Sequence, residues 1–143
     1  MIALDTNLLV YAHRAGSPMH EEAKDAILQA IRHKAGWGIA TSCLAEFWAV
    51  VTHPVCQGGP SSPDQAQSFI QQLIEDGSGQ LWESLMGFGA RLLQRACDLN
   101  ISGSRIFDLQ IALMAHENGA TEIWTHDQQF IRLPGLKVVH PFK

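Results

Sequence analysis

The chain has 143 residues, 46% of them hydrophobic and 17% charged, with a formal net charge of −4. That is the size of one ordinary domain with enough apolar material for a core, which excludes a disordered chain; no apolar run approaches the roughly 18 residues of a bilayer span. The negative charge argues against a general polyanion binder, although bound cations offset acids and only a local patch meets phosphate; Lys24, Arg32, Lys34, Arg91, Arg95 and Arg105 are enough to form one.

In chain order, residues 2–4 are predicted as a short buried strand, followed by a helix from Thr6 to about His13. The opening apolar run ends at Asp5 and has no basic segment before it, so a signal peptide is not expected. Residues 19–34 carry Ala23, Ile27, Ala30 and Ile31 as a helical stripe. Residues 37–41 (WGIAT) are a second strand, and Ser42 is the expected N-cap of a helix over 43–53. The stretch PVCQGGPSSP at 54–63 is a loop by composition. A helix over 64–76 is opened by Pro63 and Asp64 and stops near Gly77. A short strand at about 80–83 precedes a helix over 86–99, with Asn100 as its stop. A strongly apolar helix over 105–118 ends at Asn118-Gly119. A strand at 121–125, a short helical turn at 127–131 and a last strand around 137–140 complete the chain.

No repeat or linker divides this pattern, so residues 1–143 are expected to form a single domain. Cys43, Cys56 and Cys97 lack paired spacing and are expected as reduced thiols in a cytoplasm. Strands alternating with helices imply an α/β domain with a mostly parallel sheet, in which ligands collect at the carboxyl ends of the strands. Asp5 closes the first strand and Asp127 follows the 121–125 strand, so both belong to that edge.

Of the 14 acidic residues, four interrupt apolar runs: Asp5 after MIAL, Glu46 within SCLAEFWAVV, Asp108 within IFDLQIALMA, and Asp127 after EIWTH. A lone ionised carboxylate in apolar surroundings is costly unless something partners it. Asp5, Asp108 and Asp127 all stand where a helix can begin, and for any one of them helix capping is the simpler account. Glu46 resists that account, because it lies in the body of a helix whose flanking Leu44, Ala45, Phe47 and Trp48 leave little polar face. A magnesium or manganese site explains all four at once, since hard cations take oxygen ligands and offset the repulsion between carboxylates. Such a site suits phosphodiester hydrolysis. Zinc is disfavoured because no Cys/His set has ligand spacing, His126 is expected to be solvated, and there is no phosphate-binding glycine loop or serine elbow.

At these residues the chain resembles the PIN-domain ribonucleases, and within them the VapC-type toxins of prokaryotic type II toxin–antitoxin pairs. The matching stretches are Leu4-Asp5-Thr6-Asn7, Glu46 in SCLAEFWAVVTHP, Asp108 in GSRIFDLQIALMAHENGA and Asp127 in WTHDQQF, which cover essentially the whole chain in order. The resemblance implies a PIN-like three-layer α/β/α sandwich. It implies Mg²⁺- or Mn²⁺-dependent endonucleolytic cleavage of RNA, with Asp5, Glu46, Asp108 and Asp127 as metal-holding catalytic residues. Thr6, Asn7 and Thr125 are implied as supporting, substrate-orienting neighbours. Many relatives carry a further acid two residues after the fourth one; here Gln129 stands there, which removes one negative charge from any second metal site. A homodimer and a small VapB-type antitoxin are the implied partners, with RNA as substrate and no membrane.

Two other readings compete. A PIN-like module that has lost catalysis and only engages RNA or protein is opposed by the four retained acids. A metal-dependent phosphatase needs a second Asp two residues after a nucleophilic one, and Asn7 occupies that position.

Overall fold

The computed structural model describes residues 1–56 and 58–142; Gln57 of the predicted loop 54–63, and Lys143 of the expected 1–143 domain, lie outside the described residues. Five strands are present: β1 (Ile2–Leu4), β2 (Trp37–Ala40), β3 (Gln80–Trp82), β4 (Glu122–Trp124) and β5 (Lys137–Val139). Six helices accompany them: α1 (Thr6–His13), α2 (His20–Ile31), α3 (Thr41–Val51), α4 (Pro63–Gly77), α5 (Phe88–Asp98) and α6 (Arg105–Glu117). The predicted strands and helices all form, with small differences at their ends.

The ends show local chemistry. Ser62 caps α4 in a reciprocal capping box with Gln65, and Pro63 follows at the first helical position. Asn100 adopts a left-handed conformation just after α5, and Gly119 does so after α6 at φ +103°. Two expectations fail. Ser42 does not cap α3: β2 runs directly into the helix, Ala40 occupies the cap position, and the Thr41 hydroxyl donates to Trp82 O at 2.8 Å. The expected helical turn at 127–131 is a single turn closed by Phe130 N–H on Asp127 O, because the Asp127 carboxylate takes the Gln129 N–H instead.

The sheet order is β3-β2-β1-β4-β5, and all four pairings are parallel. The chain moves outward from β1 to β3, then returns past β1 to β4. Right-handed crossovers therefore place α1 to α4 on one face and α5 and α6 on the other, giving an α/β/α sandwich. The helix contacts agree: α1 packs on α2 and α3, α3 on α4, and α5 on α6. Helices α3 and α6 also touch each other although they come from opposite faces. The core between the layers includes Ile2, Leu4, Trp37, Ile39, Phe47, Leu109 and Ile123, all buried. Trp37 satisfies its indole N–H on Gly77 O at 2.8 Å, as a buried polar atom must.

Candidate active site

The strand order reverses between β1 and β4, and the carboxyl ends of such a pair border the crevice of an open parallel sheet. Asp5 lies there. Its backbone N–H donates to Trp124 O at 3.0 Å, which extends the β1–β4 ladder beyond β1. Its Oδ1 caps α1 by accepting Thr6 N–H at 2.8 Å. Its Oδ2 accepts the Thr125 hydroxyl at 2.7 Å and the Asn7 amide at 3.4 Å. The same Thr125 oxygen accepts Asn7 Nδ2 at 3.1 Å and Asp127 N–H at 3.0 Å, while Asn7 Oδ1 accepts His126 N–H at 3.2 Å. One hydroxyl thus uses its donor and both acceptor positions. The network ties the first turn of the chain to the segment after β4 and leaves Asp5 6% exposed.

Capping and site formation turn out to be compatible. Asp5 caps a helix, and Asp127 closes its own turn through Gln129 N–H at 2.8 Å. Asp108 caps nothing: it sits in the first turn of α6, where a helix N-terminus favours negative charge. Glu46 corrects the sequence expectation. Only Cys43, Phe47 and Val51 of α3 are buried, whereas Ala45, Glu46, Trp48, Ala49 and Val50 are exposed. Glu46 therefore stands on an apolar face that meets solvent, not inside a packed helix.

Burial pushes the Asp5 carboxyl from 3.8 up to about 6; the Thr125 hydroxyl and Thr6 N–H pull it down, and the charges of Glu46 and Asp127 push it up. Asp108 also rises to about 6, first through partial burial, then through the charges of Asp5 and Asp127, against the pull of Arg105 and the Ile131 N–H. Glu46 is raised by partial burial and by Asp108, with the neighbouring Thr6 hydroxyl offsetting part of this. The four acids share one electrostatic neighbourhood, and at Asp5, Glu46 and Asp108 desolvation outweighs the repulsion between them.

Two grooves adjoin these carboxylates. One lies where α3 meets α6 and is lined by Ser42, Ala45, Glu46, Phe107 and Asp108, among others. The other is lined by Ser104, Arg105, Asp108, Asp127 and Gln129, with Arg105 Nη2 donating to Gln129 O at 3.2 Å. Ser42, Ser104 and Phe107 were not singled out as site residues from the sequence; their one signal is nearness in sequence to Glu46 or Asp108. Of the cations proposed for a phosphate patch, Arg105 borders the site, Arg91 is held by the Glu117 carboxylate at 2.6 and 2.9 Å, and Lys24 pairs with Glu21.

Among the described residues no group of three or more His, Cys, Asp or Glu side chains is arranged to hold a metal ion. The donor set nevertheless fits a hard, hydrated cation. The acids supply carboxylate oxygens only, and the buried Thr6 hydroxyl beside Glu46 adds a further oxygen. Magnesium commonly keeps several waters and takes only one or two protein carboxylates.

The PIN-domain family profile matches residues 2–136. The chain is 30% identical over 141 residues to the Ribonuclease VapC43 of Mycobacterium tuberculosis, covering 99% of this chain and 95% of the relative. In structure it is similar to Mycobacterium tuberculosis VapC20, described as a sarcin–ricin loop cleaving toxin, with a TM-score of 0.68, 13% identity, and coverage of 91% of this chain and 92% of that one. It is also similar to VapBC2 from Rickettsia felis, solved with a DNA fragment from its promoter, with a TM-score of 0.67, 22% identity, and coverage of 97% and 98%.

Proposed function

Because the chain belongs to the PIN-domain family, within its VapC ribonuclease branch, we propose that it is the toxin ribonuclease of a toxin–antitoxin pair, folded as one domain over residues 1–143 and hydrolysing RNA at Asp5, Glu46, Asp108 and Asp127. The observation that carries this reading is the carboxylate of Asp5, buried at the switch point of the sheet, raised to about 6, and held by Thr125, Asn7 and Thr6 beside three further acids.

The geometry supports a role for each of these residues. Asp5, Glu46, Asp108 and Asp127 would hold Mg²⁺ or Mn²⁺, which when bound supplies an activated water and neutralises charge at the phosphate. Thr125 and Asn7 fix Asp5 Oδ2, and Thr6 N–H fixes Oδ1, so the carboxylate meets its ligand without reorganising. Arg105 has fork geometry suited to a phosphate oxygen and lies in the same groove as Asp108 and Asp127. Gln129 lines that groove with a neutral amide, able to orient water or substrate without adding charge.

The Rickettsia neighbour is a toxin–antitoxin assembly, which supports a VapB-type antitoxin as a partner of this chain. A basic side chain of the antitoxin would match the acidic grooves. No helix among the described residues is long and apolar enough to cross a membrane. The reading places the chain in the cytoplasm and in a homodimer.

The test is incubation of purified protein with labelled RNA, with Mg²⁺ or Mn²⁺ and with EDTA. Cleavage is expected only with the cation, leaving 5′-phosphate and 3′-hydroxyl ends, and Asp108→Asn is expected to abolish it. Ends carrying 2′,3′-cyclic phosphate would overturn hydrolysis by activated water, because that product needs attack by the 2′-hydroxyl.

A further inference from the structure

The groove between α3 and α6 contains an aromatic ring that the chemistry above does not use. Phe107 is 59% exposed in the first turn of α6, although Leu109, Ala112, Leu113 and Ala115 of the same helix are buried. Its neighbours in the groove are Ala45 and Ile111, which are apolar, and Glu46 and Asp108, which belong to the proposed site. A second observation is independent of the ring. Ser42 lines the same groove, and its Oγ is buried with no hydrogen-bond partner among the described residues. A buried hydroxyl left unpaired costs about 1–3 kcal/mol; Ser42 as a residue is only half-buried, so a change of its χ1 rotamer turns the hydroxyl to the groove, where a ligand that pairs it is favoured.

We propose that this groove is a nucleobase subsite, in which a base of single-stranded RNA next to the scissile phosphate stacks on Phe107 and hydrogen-bonds by its edge to Ser42. The proposal rests on the ribonuclease reading and deepens it. The occupant follows from chemistry and continuity. The groove shares Asp108 with the second groove, where Arg105 lies, so one strand crossing the carboxylates passes both. Its rim carries two acids and none of its lining residues is Lys or Arg, which disfavours a phosphate and suits a neutral planar base with polar edges. Single-stranded RNA offers such unstacked bases to aromatic side chains. An apolar partner helix would fill the groove but leave the Ser42 hydroxyl unpaired.

The experiment is a double-mutant cycle between ring and base. Wild type first maps the cleaved bond in a short single-stranded RNA. Binding of that RNA is then measured by fluorescence anisotropy with Asp5→Asn, alone and combined with Phe107→Leu or Phe107→Tyr, against the intact oligonucleotide and against copies abasic on either side of the bond. Phe107→Leu and one of the abasic sites are each expected to weaken binding about tenfold, the effect of stacking one base, and the two together no further. Phe107→Tyr retains binding, which separates loss of the ring from loss of fold. Ser42→Ala weakens binding of the intact RNA and leaves the abasic copy unaffected. Additive losses, or no loss with Phe107→Leu, overturn the subsite while wild-type cleavage still stands. If wild type cleaves no RNA, the ribonuclease reading itself fails. If Phe107→Leu binds RNA normally but no longer holds a basic helical protein that wild type retains, the groove is a protein seat and the inference is wrong.

Discussion

Burial raises the Asp5 carboxyl, and the Thr125 hydroxyl restrains that rise. This hydroxyl is fully buried and supplies the shortest hydrogen bond that Asp5 receives, at 2.7 Å. Thr125→Val keeps the shape and removes that donor. It also leaves Asn7 Nδ2 and Asp127 N–H without the oxygen they donate to. A loss of about 1–3 kcal/mol in stability is expected from the unpaired groups, measured by denaturant unfolding. Because the hydroxyl is what lowers the Asp5 carboxyl most, its pKa then climbs above about 6, and the acid limb of the cleavage pH profile moves upward. An unmoved limb would mean that Asp5 does not control the reaction. Asp108 gives a second prediction. Its carboxyl is held at about 6 in the metal-free fold against 3.8 when free, so the folded protein binds that proton more tightly. Its stabilising contribution is complete below about pH 4 and is lost as the pH rises through about 6. In EDTA at pH 7, Asp108→Asn should therefore raise the melting temperature, and at pH 4 it should not. Asp108 is only partly buried, so the gain is on the order of 1 kcal/mol, or about 2–4 °C. Mg²⁺ should stabilise wild type more than the variant. Equal shifts with the cation, or no gain in EDTA, would separate Asp108 from the other acids.

At the scale of elements, β2 and the turn into β3 are fitted through glycine. A side-chain carbon on Gly79 would overlap the indole of Trp37, whose N–H is already committed to Gly77 O. Gly79→Ala is expected to cost about 1–3 kcal/mol by overpacking, read as a lowered denaturation midpoint. Gly16→Ala is the control: nothing lies within 4 Å of the added carbon, and it should be nearly neutral. A neutral Gly79→Ala would show that Trp37 can move aside. Such close packing is not legible in the sequence, where Trp37 and Gly79 are 42 residues apart. The strands and helices are legible because periodicity and end signals are local, as with Pro63-Asp64 at the start of α4. The four acids are legible because each interrupts an apolar run. The network that positions them is not legible from spacing, since Thr125 and Asp5 are 120 residues apart; only the family resemblance pointed to Thr6, Asn7 and Thr125. Ser42 misleads because a cap needs a break between strand and helix, and β2 enters α3 without one. By size alone Phe47, Trp48, Phe69 and Trp82 could each serve an interface; Phe47, Phe69 and Trp82 pack into or against the core, and Trp48 is exposed. Apolar patterning shows that a side chain wants burial, but not which surface buries it.

At the scale of the whole molecule, the apolar surface that remains is confined to few segments. Leu81, Leu85, Met86 and Leu93 are 48%, 48%, 98% and 69% exposed along β3, the following loop and α5. Trp48, Val50 and Val55 are exposed at and beyond the end of α3, at 41%, 43% and 83%. Large apolar chains gathered in this way mark association surfaces more often than scattered single ones do. The 81–93 segment has a further feature: β3 is an edge strand, with one side of its backbone unpaired within the sheet. A two-fold dimer built there would cover that edge and these side chains in both copies at once. The grooves at the carboxylates do not include these residues, so such a dimer leaves them open to RNA and to an antitoxin. Light scattering should give twice the monomer mass in the micromolar range. Leu85→Lys with Leu93→Lys should give the monomer with an unchanged circular-dichroism spectrum, because both side chains are exposed and contribute little to the core. A monomer for wild type across that range would overturn the dimer. A dimer that survives the double substitution but is lost with Trp48→Lys and Val55→Lys would move the interface to the end of α3, on the same helix as Glu46. The dimer would then affect access to the acids, and cleavage by the dissociated variant would change with it.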